Sequence, residues 1–77
     1  MKLDRELIRD IHKDPVRKSL TTAVVNFADE TGTEVIAEGI ETEDELATLK
    51  GLGIKYGQGF LLGKPGPLSM LHGLSLS

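Results

Sequence analysis

Glu34-Val35-Ile36-Ala37-Glu38-Gly39-Ile40, running straight into Glu41-Thr42-Glu43-Asp44-Glu45, is the stretch on which the fold turns. Its middle is short, apolar and β-branched, as a buried strand of a parallel sheet should be. The polar run behind it starts a helix. Thr42 is placed to cap, and Glu45 is placed to reach back, the reciprocal pattern of a capping box. Leu46, Leu49 and Leu52 then supply an apolar helix face, and Gly51 and Gly53 end it. The pattern predicts a strand over 34–40 and a helix over 43–50.

The same alternation extends in both directions. Upstream, Asp14-Pro15 is a strong helix start, because Asp can cap and Pro fits the first helical position. Val16, Leu20, Ala23, Val24 and Phe27 recur at helical spacing and give one apolar stripe, with Gly32 as the left-handed stop. That helix is expected over about 14–31. Residues 1–4 read either as the end of a strand or as the start of a helix through Leu7, Ile8 and Ile11. Downstream, 54–62 reads as a strand rich in glycine, Lys64-Pro65-Gly66-Pro67 as a turn, and 68–74 as a weak helix interrupted by Gly73. Strand, helix, strand, helix, strand, helix implies an α/β fold with parallel strands and right-handed crossovers. Three such strands cannot close a barrel, and a sheet this narrow leaves edges and a face open.

Composition sets the outer limits. Seventy-seven residues make at most one small domain, and there is no cysteine to staple it. A chain of this size ordinarily needs a disulfide, a metal or a partner, so a partner or further sequence is expected to cover the open sheet. The net charge of -3, with no basic run longer than Arg17-Lys18, argues against binding DNA or RNA duplexes. Aromatic content of 4% is too low for a base-stacking platform. No apolar stretch approaches a membrane span, and Met1-Lys2-Leu3-Asp4-Arg5 lacks the apolar core of a signal peptide. The lack of cysteine fits a reducing cytoplasm.

Few residues stand out as carriers of chemistry. Glu38 closes an apolar strand, where a charge is costly unless paired or bound to metal, and strand C-termini are where α/β sites are built. The plain alternative is an exposed loop acid. Lys2 and Asp4 share a face if 1–4 is a strand, and a lysine beside carboxylates can hold a phosphate or orient a water. The plain alternative is a solvated terminal lysine. Gln58 lies between Gly57 and Gly59, which permit close approach by a ligand or simply by another backbone. These glycines are no dinucleotide fingerprint, since Gly63 comes one residue late and opens no helix. His12 and His72 read as surface residues.

Three blocks carry a family resemblance. Val35 to Thr42 resembles the "viAEGVET" segment of EAL domains. Lys2-Leu3-Asp4-Arg5 resembles that family's "KID" or "KLD" strand, and Tyr56 to Pro65 resembles its closing "QGyl.skP" strand. The resemblance implies the C-terminal three strand–helix units of a TIM-type (β/α) barrel, left incomplete, from a phosphodiesterase that hydrolyses cyclic di-GMP to the linear dinucleotide with Mg²⁺ or Mn²⁺. It implies that Lys2 and Glu38 are catalytic, with Glu38 also meeting metal directly or through water, and that Gln58 touches substrate. Asp4 and Glu41 are implied as supporting residues, Glu41 steadying the loop before the helix. The family's other acids lie upstream of the lysine strand, so the chain alone is expected to be inactive. The competing expectation is a non-enzymatic remnant that binds a protein partner or the nucleotide.

Overall fold

The computed structural model describes residues 1–58 and 66–68. The chain begins with β1 (Lys2–Leu3) and a single helical turn, α1 (Arg5–Ile8), followed by a 3₁₀ turn at Ile11–Lys13. The long helix α2 (Pro15–Thr31) leads to β2 (Ile36–Glu38), then α3 (Glu43–Gly51), β3 (Tyr56–Gln58) and β4 (Gly66–Pro67). The four strands form one sheet in the order β1-β2-β3-β4. β1, β2 and β3 run parallel, with Lys2, Ile36 and Tyr56 in one register row and Leu3, Ala37 and Gly57 in the next.

The two longer helices begin where their caps predict. The Asp14 carboxylate accepts from the amides of Val16 and Arg17, and Pro15 occupies a position whose missing N–H would have no helical partner. Gly32, at φ +69°, closes α2 in the left-handed region that glycine tolerates. Thr42 and Glu45 form the full capping box of α3.

The strands are shorter than their apolar runs. β1 stops at Leu3 and the chain turns into α1, so Asp4 and Lys2 do not alternate along a common strand as the expectation for 1–4 required. Asp4 instead opens α1, its carbonyl accepting from Leu7 and Ile8. The expected strand over 34–40 narrows to Ile36–Glu38, and that over 54–62 is seen as Tyr56–Gln58, with residues 59–62 outside the described residues. Gly66–Pro67, expected in a turn, pairs antiparallel with Tyr56–Gly57 and covers that stretch of the β3 edge. Proline suits such an edge because it has no N–H to leave unpaired. Of the weak helix expected over 68–74, only Leu68 is described, and it is fully buried; the rest lies outside the described residues.

The core lies on one side of the sheet. Leu3 and Ala37 join Ile8, Ile11, Leu46 and Leu49 there, each nearly inaccessible, and burial of a side chain of the larger kind contributes about 1.5–3 kcal/mol. Gly57 faces the same side. A Cβ at that position would lie 2.7 Å from both Ile40 Cδ1 and Leu68 Cδ2, so its glycine serves close core packing rather than ligand approach.

α2 corrects the predicted stripe. Thr21, Val25 and Ala28 are the buried residues of that helix, while Val16 is 76% and Phe27 54% exposed, and Leu20 is exposed with them. Both sets recur at helical spacing, but small Ala28 and modest Val25 let the helix come close to its neighbours, and the bulkier set is turned outward.

Candidate functional site

Side chains alternate across a strand, so Lys2, Ile36, Glu38, Tyr56 and Gln58 lie on the face opposite the core. Among the described residues no element covers that face. Lys2, Tyr56 and Gln58 are exposed, and Ile36 and Glu38 are half-buried. Glu38 and Gln58 occupy the last register row, at the C-terminal ends of β2 and β3. Lys2 lies on the adjoining strand, and its Nζ is 3.5 Å from Glu38 Oε2. The parallel topology therefore puts Lys2, Glu38 and Gln58, from three separate parts of the sequence, on one face of the sheet, with Lys2 reaching Glu38 from the row of Ile36 and Gln58 standing beside Glu38 in the last row.

The chemistry available is that of an anion-facing edge. Lys2 offers a compact positive charge, 69% exposed, and Glu38 a carboxylate, 34% exposed, that can accept from it or meet a cation. Gln58 adds an amide that both donates and accepts. Carboxylate oxygen is the donor type that Mg²⁺ and Mn²⁺ select. Glu38 fits that role as one ligand. No group of three or more His, Cys, Asp or Glu suited to an ion occurs among the described residues, so they do not compose a metal site by themselves.

The loop that carries Glu38 into α3 is tied at several points. Ile40 N–H donates to the Gln58 carbonyl at 3.1 Å, joining the two strand ends. The Arg5 guanidinium donates through Nη1 to the Gly39 carbonyl at 3.2 Å, and its Nη2 lies 2.7 Å from Glu41 Oε1. Gly39 has φ +79°, and a Cβ there would sit 2.6 Å from Arg5 Cβ. Only glycine meets both demands. Glu45, 2% exposed, is buried beneath the loop. Its Oε1 accepts from the amides of Glu41 and Thr42, and its Oε2 accepts from Asp10 N–H at 2.9 Å. Asp10 itself adopts φ +55°, a conformation that Asp tolerates better than most residues.

Sequence reasoning did not find Arg5 as a loop ligand, nor the second role of Glu45. The capping box was visible because its members stand three residues apart. The bonds from Arg5 to Gly39 and from Glu45 to Asp10 span 34 and 35 residues, and no local pattern announces them. His12, read as a surface residue, is partly buried, with Nε2 3.9 Å from Asp44 Oδ2. A cleft of about 160 Å³ lies beside the N-terminal ends of β2 and β3 between Val25, Glu34, Gly53 and Tyr56, and apart from Tyr56 it shares no residue with the open face described above.

Comparison with known proteins bears on this arrangement. A family model described as EAL domain matches residues 1–65. The cyclic di-GMP phosphodiesterase PdeR of Escherichia coli is 49% identical over 67 residues, which cover 87% of this chain and 10% of that protein. The chain thus spans about a tenth of the length of the curated relatives it matches. Among solved structures, Klebsiella pneumoniae BlrP1 in a manganese and cyclic di-GMP complex superposes with a TM-score of 0.80 at 39% identity, over 87% of this chain and 17% of that one. A standalone EAL protein of Vibrio cholerae, in its c-di-GMP bound form, superposes with a TM-score of 0.78 at 37% identity, over 87% of this chain and 28% of that one. The α/β architecture and the parallel strands are those of these EAL structures.

Proposed function

Because this chain belongs to the EAL domain family, we propose that it contributes Lys2, Glu38 and Gln58 to the active site of a cyclic di-GMP phosphodiesterase. One observation carries the reading: the three residues share the open face of the sheet, with Lys2 Nζ 3.5 Å from the Glu38 carboxylate and Gln58 in register beside Glu38. Likeness to PdeR and to structures solved with cyclic di-GMP supports the substrate.

Each residue has a distinct task in this reading. Lys2 attracts the phosphate of the substrate and balances charge that builds on its oxygens as phosphorus is attacked. Glu38 supplies one carboxylate to a divalent-cation site completed by donors beyond the described residues, in keeping with the manganese and calcium complexes of the neighbouring structure. Such ions, when bound, lower the pKa of a bound water and stabilise attacking and leaving oxygens. Gln58, on the strand beside Glu38, hydrogen-bonds the substrate at the rim. Asp4 and Glu41 act indirectly, through the turn after β1 and the loop after β2. The reading places the protein in the cytoplasm, which the cysteine-free sequence supports. Among the described residues no helix is long and apolar enough to cross a membrane. The open sheet face and the exposed side of α2 are covered by further sequence or by a second copy.

The test is turnover of cyclic di-GMP by the native polypeptide that carries this chain, with Mn²⁺ or Mg²⁺, followed by chromatography of the linear product. Glu38→Gln and Lys2→Met are each expected to lower turnover by about 100-fold or more, and Gln58→Ala to raise KM. Undiminished turnover in Glu38→Gln refutes the assignment. Tight binding without turnover in the wild type points instead to a nucleotide receptor.

A further inference from the structure

Resting on the phosphodiesterase reading, we propose that Arg5 is a positioning residue for Glu38, holding the Gly39–Glu41 turn from the neighbouring strand unit and thereby fixing where the Glu38 carboxylate points. Three observations support it. The segment Lys2–Arg5 reaches the β2 end at two places, Lys2 before the turn at Glu38 and Arg5 after it at Gly39 and Glu41. The guanidinium engages both a backbone carbonyl and a carboxylate, which its planar fork allows and a lysine ammonium does not reproduce. The contact is built close: Gly39 leaves no room for a Cβ beneath the Arg5 stem.

The energetics separate positioning from stability. Arg5 and Glu41 are each more than a third exposed, so solvent screens the pair and its contribution to folding is small. Its geometric effect is larger, since the turn continues directly from Glu38 into α3. On the other side, Glu45 already secures the amides of Glu41 and Thr42. Removing Arg5 therefore frees the Glu38 side of the loop while leaving the helix start in place.

The experiment uses the native polypeptide carrying this chain, with Arg5→Met, which keeps an apolar stem over Gly39, Glu41→Gln, the double variant, and Arg9→Met as a control from the exposed Arg9–Glu6 pair. Melting midpoint, KM, kcat and amide hydrogen exchange at Gly39 and Ile40 are measured. Arg5→Met and Glu41→Gln should each lower kcat about 10- to 100-fold. KM should stay within about twofold and the midpoint within about 3 °C. The double variant should be no worse than the poorer single one, because both remove the same contact. Wild-type kcat in Arg5→Met overturns the proposal, and so does a loss that merely tracks the melting midpoint or is shared by Arg9→Met. A wild type that never turns over cyclic di-GMP refutes the functional reading instead. The clamp is then judged by exchange alone: faster exchange at Gly39 and Ile40 in Arg5→Met sustains it, and unchanged rates overturn it.

Discussion

The Lys2–Glu38 pair is expected to matter little to folding and, on the proposed reading, much to turnover. Lys2 is largely in water, so the pair adds little to stability. Lys2→Met is expected to leave the melting midpoint within about 2 °C while it removes turnover, a split that paired calorimetry and kinetics would read directly. Gly57 behaves in the opposite way. Gly57→Ala would drive a methyl group into Ile40 and Leu68 and should cost about 1–3 kcal/mol in a denaturant titration. Thr21 is fully buried, and its hydroxyl has no partner among the described residues. Thr21→Val removes that oxygen at nearly constant shape and should stabilise by about 1 kcal/mol. At this scale Lys2, Glu38 and Gln58 were marked as candidates because each stands in a short block that resembles the family, and the structure places them on one sheet face. Gly57 was marked as a point of close approach, but the approaching groups come from residues 40 and 68, and the sequence alone could not say which face it served. Arg5 was illegible as a clamp because both its partners lie across the crossover.

Among the elements, the helix starts were the most legible feature, since a cap and its acceptor are local. Asp14→Ala removes the acceptor for two amides and should destabilise α2 by about 1 kcal/mol. Glu45→Ala should cost more, about 3 kcal/mol, because it strips a buried carboxylate from the amides of Asp10, Glu41 and Thr42 together. Urea unfolding of both variants would rank them, and equal losses would mean that the bond from Glu45 to Asp10 contributes nothing. The burial of α2 was not legible. Its two candidate stripes have the same period, and hydrophobicity favoured the bulky one. What decides is how near the helix can lie to the rest of the core, a property of the packed molecule. The antiparallel pairing of Gly66–Pro67 was equally hidden, because a Pro-Gly-Pro run carries a turn signal whether or not an edge is available to receive it.

For the molecule as a whole, Val16, Leu20 and Phe27 on α2, with Tyr56 on the open sheet face, leave apolar side chains exposed among the described residues. The 77 residues produced alone are expected to self-associate, with a sedimentation mass above 8.3 kDa that rises with concentration. A concentration-independent monomer would contradict this. The parallel register described above has a consequence in time as well as in space. Lys2 lies in register with Ile36, and the Met1 carbonyl accepts from the Ile36 amide. The β2 partner of β1 and its lysine is not made until the ribosome has added the whole of α2 and the approach to β2. At about 5–20 residues per second, that wait lasts on the order of 2–7 s.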